Sequence, residues 1–417
     1  MKVLLISARD ESGEIAAPLP LGLACVAAAT ERAGHDVRLL SLAAGGEGGF
    51  PIADVVPQLR PDVMGISVRN IDDQNMQRPH FLLAPLRELV AACRRVSSAP
   101  IILGGAGYSI FPQSAVSYLQ ADMGIKGEGE MAFPALLSWI ERGAQGLPPP
   151  GAYLHNRPYM APAFVPSLDA FPLPAPGFWL HFPGGGGLRI PVQSRRGCPL
   201  DCIYCSTSAI EGRPVRRRSP ESVVRWLAEL RANGFTSFYF VDNTFNLPPS
   251  YAKDLCRKLI QADLGLDWWA IVYPQWVDEE LADLIAKAGC TQVSLGFESG
   301  SEPVLKRLNK RFGCAEVKAI SGMFSAAGIK RNGFLLLGGP GETKETVEES
   351  LAFAEALHLD GLKITVGLRI YPGTVLHSVA VAEGVVKLDD DLLWPRFYLT
   401  AGLRDWLPDR IAQYNAL

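Results

Sequence analysis

The chain has little net charge and no long apolar run. Its 40 Lys and Arg residues against 43 Asp and Glu residues give a net charge of -3 over 417 residues. Wrapping nucleic acid requires an excess of cations on one face, so duplex binding is excluded as the main activity. The sequence contains neither an apolar stretch of about 18 residues nor a basic leader followed by an apolar segment. We therefore predict a cytoplasmic protein without a membrane span.

Cysteine is also scarce, with 8 residues in the chain. This density is far below that of disulfide-stabilised secreted domains and indicates free thiols or metal ligands. Five cysteines stand alone, and we predict that each is a small buried apolar residue: Cys25, Cys93, Cys256, Cys290 and Cys314. The other three, Cys198, Cys202 and Cys205, lie within one short segment.

From residue 1 to about 143, short β-branched segments alternate with longer amphipathic ones. This alternation predicts an open, doubly wound α/β domain with a parallel sheet. The candidate strands are residues 3–7, 37–42, 63–68, 101–103 and 123–125. The glycine-rich segment 104–107 follows the fourth strand, and loops at the carboxyl ends of parallel strands commonly hold a ligand.

Residues 144–187 are rich in proline and glycine. Because proline fixes φ and removes a backbone donor, we predict a connector on the surface with no helix and no central strand. Residues 188–386 then alternate strand and helix six times, with candidate strands at 188–194, 235–241, 268–272, 292–297, 333–337 and 363–370. Spacing alone is compatible both with a second open sheet and with a partial barrel.

Helix-start signals support this alternation in the second half. Ser219, Asp278 and Thr343 each precede an amphipathic segment and are predicted N-caps. Gly289 is predicted to end the helix that follows Asp278. The tail, residues 387–417, is too short for a core of its own, so a separate substrate domain is not expected.

The three clustered cysteines have the spacing C-x-x-x-C-x-x-C. Thiolates favour zinc or iron–sulfur clusters, and a loop this short can direct three sulfurs at one centre. A structural zinc needs a fourth Cys or His nearby, and the next cysteine, Cys256, falls within a helical segment. We therefore predict an iron–sulfur cluster with one iron left open to bind a ligand.

This spacing, with the aromatic Tyr204 before the last cysteine, resembles the signature of the radical S-adenosylmethionine (SAM) enzymes. The resemblance implies a partial (β/α)6 TIM-type barrel over residues 188–386. It also implies that Cys198, Cys202 and Cys205 hold a [4Fe–4S] cluster whose open iron binds the amino and carboxylate groups of SAM. An electron from a low-potential donor such as flavodoxin or ferredoxin would then split SAM into methionine and a 5′-deoxyadenosyl radical.

Further matches follow three other candidate strands, at the barrel end where active sites lie. Asp242 and Asn243 resemble the family's contact to the SAM amino group. Glu298 and Ser299 resemble its contact to the ribose or carboxylate of SAM. Gly339 resembles the loop beside the adenine.

Basic residues flank these segments. We predict a solvated turn, in which one guanidinium is a candidate partner of the SAM carboxylate, for Arg213, Arg216, Arg217 and Arg218. We predict an exposed helix face for Lys306, Arg307 and Lys310.

Residues 1–143 resemble the Rossmann-like cobalamin-binding domain that precedes the barrel in B12-dependent members of the family. The resemblance implies cobalamin contacts from Ser67, Arg69, Asn70, Gly104, Gly105, Gly127 and Glu128. Glycines after strands let the backbone approach a bulky corrin. The fingerprint Asp-x-His-x-x-Gly, whose histidine binds cobalt, is absent, as is common in this subfamily. A dinucleotide-binding domain is less compatible, because no G-x-G-x-x-G follows the first strand.

The two resemblances together imply a cobalamin-dependent radical SAM methyltransferase acting on an unactivated carbon of a small-molecule or natural-product substrate. A ring-forming or oxidising radical enzyme without methyl transfer is the alternative, because its motifs overlap with those of the methyltransferases. A corrinoid or redox sensor without turnover is a third hypothesis, against which the SAM-type loops argue. No acid/base pair stands out as catalytic. Packing is the main role predicted for Trp268, Trp269, Tyr273 and Trp276.

Overall fold

The chain forms two compact units in a computed structural model that describes residues 1–7, 19–42, 52–155, 157–182 and 189–415. The first unit comprises Met1–Asp73, His80–Gly185 and Ser208–Gly212, and the second comprises Gln74–Pro79, Gly186–Thr207 and Arg213–Leu417. Within those described ranges, no helix has the length and apolar character needed to cross a bilayer. By these bounds, most of the predicted connector belongs to the first unit, and the tail belongs to the second.

A six-stranded sheet in the order β2-β1-β3-β4-β5-β6 forms the centre of the first unit. Its strands are β1 (Lys2–Ser7), β2 (Asp36–Ser41), β3 (Val63–Ser67), β4 (Ile101–Gly104), β5 (Met123–Ile125) and β6 (Ala152–Leu154). The first five strands pair in parallel, whereas β6 is an antiparallel edge strand. The five predicted strands and the doubly wound α/β arrangement are confirmed, and the carboxyl ends of β3, β4 and β5 lie at one edge.

The helices of the first unit are α1 (Leu21–Arg32), α2 (Ile52–Leu59), α3 (Leu83–Val96), α4 (Ala106–Ile110), α5 (Pro112–Leu119) and α6 (Gly129–Glu141). Most of a short helix from later in the sequence, α7 (Thr207–Glu211), also belongs to this unit. Phe133 and Leu136 of α6 join Val3 in the apolar core. A Cβ at Gly129 would lie 2.7 Å from Cγ2 of Val26, so glycine lets α6 pack closely on α1.

The connector is more ordered than its proline content predicts. The strand β6 lies within it, and 3₁₀ helices occupy Leu168–Ala170 and Pro176–His181. Leu168, Phe171 and Trp179 are buried, so the prediction of a surface connector without a helix is wrong for this part, whereas β6 is an edge strand and agrees with the prediction of no central strand. The strand forms for a local reason: residues 152–154 are free of proline, and an edge strand tolerates prolines on either side. Residues 183–188, which the predictions also covered, lie outside the described residues.

The second unit contains six parallel strands in sequential order, β7-β10-β11-β12-β13-β14, with β7 and β14 at the two edges. They are β7 (Arg189–Val192), β10 (Ser237–Phe240), β11 (Asp267–Val272), β12 (Cys290–Glu298), β13 (Lys330–Leu337) and β14 (Gly361–Val366). Two short antiparallel pairs accompany them: β8 (Arg195–Arg196) with β9 (Arg216–Arg217), and β15 (Leu368–Arg369) with β16 (Phe397–Tyr398). The predicted partial (β/α)6 barrel is confirmed.

Helices accompany these strands, and three of them begin at the predicted caps. The helices are α8 (Pro220–Ala232), α9 (Pro249–Ala262), α10 (Glu279–Lys287), α11 (Glu302–Arg307), α12 (Cys314–Ala326), α13 (Lys344–Ala356), α14 (Val375–Ala382) and α15 (Leu407–Tyr414). The side chains of Ser219, Asp278 and Thr343 each accept a hydrogen bond from the backbone N–H three residues later. Each bond satisfies one of the helix donors that lack an intrahelical partner.

The C-terminal tail packs onto the barrel. β16 pairs with β15, and the backbone N–H of Thr400 donates to the carbonyl oxygen of Gly338 at 3.0 Å. Arg410 of α15 forms a bidentate ion pair with Glu348 of α13, with N···O distances of 2.6 and 2.8 Å. The tail therefore extends the second unit, as its lack of an independent core predicts.

Candidate functional site

The loop that contains the three cysteines is anchored by its main chain. The N–H of Ile203 donates to the carbonyl oxygen of Leu308, which follows α11, at 3.3 Å. The carbonyl oxygen of Ile203 accepts from the N–H of Leu376 in α14 at 2.9 Å. Within the loop, the N–H of Cys205 donates to the carbonyl oxygen of Cys202 at 3.2 Å. Bonds to two helices thus fix the loop at the residue between its last two cysteines.

The three thiols are electrostatically coupled. Burial raises the pKa of the Cys202 thiol, Lys310 lowers it, and Cys205, Glu298 and Cys198 raise it further. In the part of the chain that the structure describes, no three His, Cys, Asp or Glu side chains are already gathered tightly enough to hold a metal ion. The donor set itself is three thiols on one short loop, which is the chemistry of an iron–sulfur cluster with one open iron. The residues present therefore fit the group that the motif predicts.

Lys310 lies inside this site, so the prediction that it belongs to an exposed helix face is wrong. The helix α11 ends at Arg307, and Asn309 adopts a left-handed conformation with φ of 59°, which turns the next side chain inward. The Lys310 side chain is 4% exposed. Its Nζ donates to the Tyr204 hydroxyl at 2.9 Å and to Oε1 of Glu298 at 3.2 Å. Lys306 is exposed, as predicted.

Asp242 follows β10 and is 0% exposed. Its carboxylate accepts from the N–H of Ser194 at 2.8 Å, the hydroxyl of Ser194 at 2.5 Å and the N–H of Arg195 at 3.0 Å. Burial raises its pKa to about 6, against the opposing effects of the Arg195 charge and of these hydrogen bonds. The structure thus uses Asp242 to hold the chain that enters the cysteine loop. Its neighbour Asn243 is partly exposed and is the member of the predicted pair that can reach a ligand.

Glu298 and Ser299 end β12 in different environments. Glu298 has a φ of 65°, a conformation that costs a non-glycine residue about 1–3 kcal/mol. A Cβ at Gly296 would lie 3.0 Å from Oε1 of Glu298, so glycine makes room for the carboxylate. Ser299 is fully buried, and its hydroxyl lies 2.9 Å from the hydroxyl of Ser350. Glu298 is therefore held in a constrained conformation with its carboxylate beside Lys310, and its contact with SAM stays a prediction, whereas Ser299 stabilises the turn.

The loop after β13 is closed by an internal carboxyl group that the sequence analysis did not single out. Glu342 is 2% exposed, and its Oε2 accepts from the backbone N–H groups of Gly338 and Gly339, the latter at 3.0 Å. Burial raises its pKa to about 7, against the opposing effect of those two bonds. The hydroxyl of Thr400 donates to the carbonyl oxygen of Gly339 at 2.5 Å. The predicted adenine loop is thus held by Glu342 from within the loop and by Thr400 from the C-terminal tail. The contact with Thr400 depends on tertiary structure and is not visible in the sequence.

Two of the four arginines after the cysteine loop are buried. Arg216 lies in β9 and is paired with β8, and the N–H of Arg218 donates to the carbonyl oxygen of Ser194 at 2.9 Å. The prediction of a solvated turn is therefore wrong for Arg216 and Arg218, because strand pairing draws them inward. Arg213 and Arg217 are exposed.

The predicted cobalamin residues lie at the carboxyl edge of the first sheet. Gly105 has a φ of 104°, and a Cβ there would lie 2.5 Å from the carbonyl oxygen of Val68, so only glycine fits this loop. A Cβ at Gly104 would meet no described atom within 4 Å, which marks open space above β4. Arg69 and Asn70 are exposed beside this space, and Ser67 is partly exposed. Open space lined by backbone and polar side chains fits a bulky planar ligand.

Gly127 and Glu128 follow β5 at the same edge. Gly127 has a φ of 85°, and its N–H donates to the hydroxyl of Ser109 at 3.1 Å. Glu128 is buried, and its Oε2 accepts from the backbone N–H of Val165 in the connector at 3.3 Å. The structure thus gives Glu128 a contact with the connector, whereas its contact with cobalamin stays a prediction.

Known protein families match both units of the chain. The profile of the Radical SAM superfamily matches residues 192–354, and that of the B12 binding domain matches residues 17–137. An uncharacterized methyltransferase of Pyrococcus horikoshii is 27% identical over 410 residues, which cover 93% of this chain and 84% of that protein. The cytidylyl-2-hydroxyethylphosphonate methyltransferase of Streptomyces wedmorensis is 28% identical, with coverages of 89% and 80%.

A solved structure has the same fold. It is that of the radical SAM methyltransferase TsrM from Kitasatospora setae, with a TM-score of 0.83 at 22% identity, and the match covers 100% of this chain and 89% of that one. The two curated relatives and TsrM are all methyltransferases, which agrees with the main functional prediction and not with the ring-forming or oxidising alternative. The two matched profiles lie in the order that the sequence predicts. The chain belongs to the radical SAM enzymes that carry an N-terminal B12-binding domain.

Proposed function

We propose that the protein is a cobalamin-dependent radical SAM methyltransferase that methylates an unactivated carbon of a small-molecule substrate. The observation that carries the proposal is that one chain contains both a three-thiol loop and an open sheet edge lined by glycine. The second unit presents the three-thiol loop at the carboxyl end of a partial barrel. The first unit presents a glycine-lined open space at the carboxyl end of a doubly wound sheet.

The second unit would hold the cluster through Cys198, Cys202 and Cys205. When bound, the cluster and SAM would together supply the reagent that forms a carbon radical on the substrate. The protein would contribute binding, orientation and exclusion of water. Tyr204 lies within the loop and Glu298 beside it, and the Lys310 ammonium group donates a hydrogen bond to each. Asn243 and Gly339 complete the residues proposed to face SAM, while the buried Asp242 and Ser299 hold the backbone that presents them.

The first unit would hold cobalamin through the edge residues Ser67, Arg69, Asn70, Gly104, Gly105, Gly127 and Glu128. Val68, between two of these residues, is locked to β4 because its N–H donates to the carbonyl oxygen of Gly104 at 2.7 Å. Arg69 and Asn70 follow directly and are exposed, and we propose that their side chains would contact bound cobalamin. Bound cobalamin supplies a transferable methyl group.

The substrate is proposed to be a small molecule. The TsrM structure contains tryptophan and a SAM analogue, and the Streptomyces wedmorensis relative is named for a cytidylyl phosphonate substrate. We also propose a cytoplasmic location and a low-potential electron donor such as flavodoxin or ferredoxin. The radical chemistry requires such a donor, and its docking surface is not assigned.

The deciding experiment is anaerobic reconstitution with iron, sulfide and hydroxocobalamin, followed by desalting and metal analysis of one sample. About four iron atoms and one cobalt per chain are expected. The matched control is the triple variant Cys198→Ala/Cys202→Ala/Cys205→Ala, which should retain cobalt and lose iron. Loaded protein is then incubated with SAM, reductant and candidate substrates. Mass spectrometry tests whether a product heavier than the substrate by one CH2 group is formed. Iron without cobalt, or unchanged iron in the triple variant, would overturn the proposal.

A further inference from the structure

An ammonium group is buried beside the cysteine loop without belonging to any sequence motif that we recognised. The Lys310 side chain is 4% exposed and lies between the Tyr204 hydroxyl and the Glu298 carboxylate. Its Nζ is 5.3 Å from the ring centre of Tyr204 and 5.8 Å from those of Tyr273 and Phe312. Burying an ion without a partner strongly disfavours folding, so such a group needs compensating contacts.

The opposing carboxylate reaches Lys310 only through two unusual backbone features. Glu298 adopts a left-handed φ of 65°, and Gly296 leaves the space that its Oε1 occupies. An ion pair that served stability alone could lie on the surface without strain or burial. Strain of this kind is typical of functional sites, where the surrounding structure holds a residue in place.

The ion pair contacts the cysteine loop itself. Nζ of Lys310 donates to the hydroxyl of Tyr204 at 2.9 Å, and Tyr204 lies in the chain between Cys202 and Cys205. Three thiolates that hold a cluster place a concentration of negative charge on residues 198–205. In a buried site of low dielectric such charges interact strongly with a fixed ion nearby.

We propose that Lys310 is a positioning residue of the cluster site, whose fixed positive charge offsets the thiolates and Glu298 and so makes the cluster easier to reduce. The inference rests on the proposed cluster at Cys198, Cys202 and Cys205. Removing Lys310 disfavours the more negative, reduced cluster, and removing the Glu298 charge does the opposite. A residue that serves stability alone would not shift the potential with these opposite signs.

The test measures the midpoint potential of the reconstituted cluster by reductive titration with mediator dyes, followed by electron paramagnetic resonance. Lys310→Met keeps an apolar stem between the rings and should shift the potential to more negative values. Glu298→Gln should shift it to less negative values, and the double variant should lie between the two. Lys306→Met, which removes an exposed charge on α11, is the matched control and should leave the potential unchanged.

Breaking a buried pair can unfold the protein, so the double variant, which leaves no unpaired charge, keeps the test valid if Lys310→Met is insoluble. Shifts of the same sign in the two single variants, or no shift in any variant, would overturn the inference. A shift for Lys306→Met equal to that for Lys310→Met would overturn it as well. Wild-type protein that binds no iron would instead overturn the proposed function, so the two failures are distinguishable.

Discussion

Replacing Glu342 by glutamine is expected to change how stability depends on pH. The Glu342 carboxyl group is 2% exposed, and burial raises its pKa from 4.5 to about 7. The protonated form is therefore favoured by folding. Its contribution to the free energy of unfolding is complete below pH 4.5 and is lost as the pH rises to about 7. At about 1.4 kcal/mol per pKa unit, the loss amounts to about 3 kcal/mol.

Glutamine is a close mimic of the protonated carboxyl group. Its amide oxygen can still accept from the N–H groups of Gly338 and Gly339, and its NH2 group replaces Oε1, which has no hydrogen-bond partner among the described residues. Glu342→Gln should therefore match the wild type near pH 4.5. At pH 8 it should be more stable by up to about 3 kcal/mol, because the variant avoids the cost of a buried charge.

Urea unfolding at several pH values between 4.5 and 8, with both proteins measured in parallel, tests this expectation. Other titrating groups cancel in the difference between the two proteins. Glu345→Gln is the control: Glu345 is exposed, and a hydrogen bond from Thr343 lowers its pKa, so that variant should not gain stability at high pH. Parallel pH profiles for wild type and Glu342→Gln would refute the reasoning.

Two further changes test the loop after β4 and the N-cap of α13. Gly105→Ala should destabilise the first unit by at least about 1–2 kcal/mol, because alanine resists a φ of 104° and its Cβ meets the Val68 carbonyl oxygen. Gly104→Ala is the control, because its Cβ enters open space and should not disturb folding. Thermal melting and a cobalt-retention assay compare the two variants. Equal melting temperatures would contradict the close approach assigned to Gly105. Thr343→Ala should lower the free energy of unfolding by about 1 kcal/mol, because it removes the N-cap of α13. An unchanged urea midpoint would show that Thr346 alone satisfies the helix terminus.

Local patterns were sufficient for the parts of the structure that depend on neighbours in sequence. The parallel strands of both sheets and the caps of α8, α10 and α13 follow from hydrophobic alternation and from the residue that starts each helix. The cysteine spacing is equally local, and so was the family resemblance that it carries. The order of the second sheet follows because consecutive βα units place their strands side by side.

Features that depend on distant parts of the chain were not predictable in this way. A helix face extended from Lys306 would place Lys310 in solvent, and only the left-handed turn at Asn309 brings it inside. The burial of Asp242 depends on the backbone of Ser194, 48 residues earlier. Proline content likewise predicted an irregular connector, whereas three residues between prolines were enough for an edge strand.

The main-chain anchors of the cysteine loop have a consequence for damage by oxygen. The bonds from Ile203 to the residues at positions 308 and 376 involve only backbone atoms and need no iron to form. A protein that has lost its cluster to oxidation therefore keeps the loop attached to both helices. Restoring activity then requires new iron and sulfide and reduced thiols, but no refolding of the barrel.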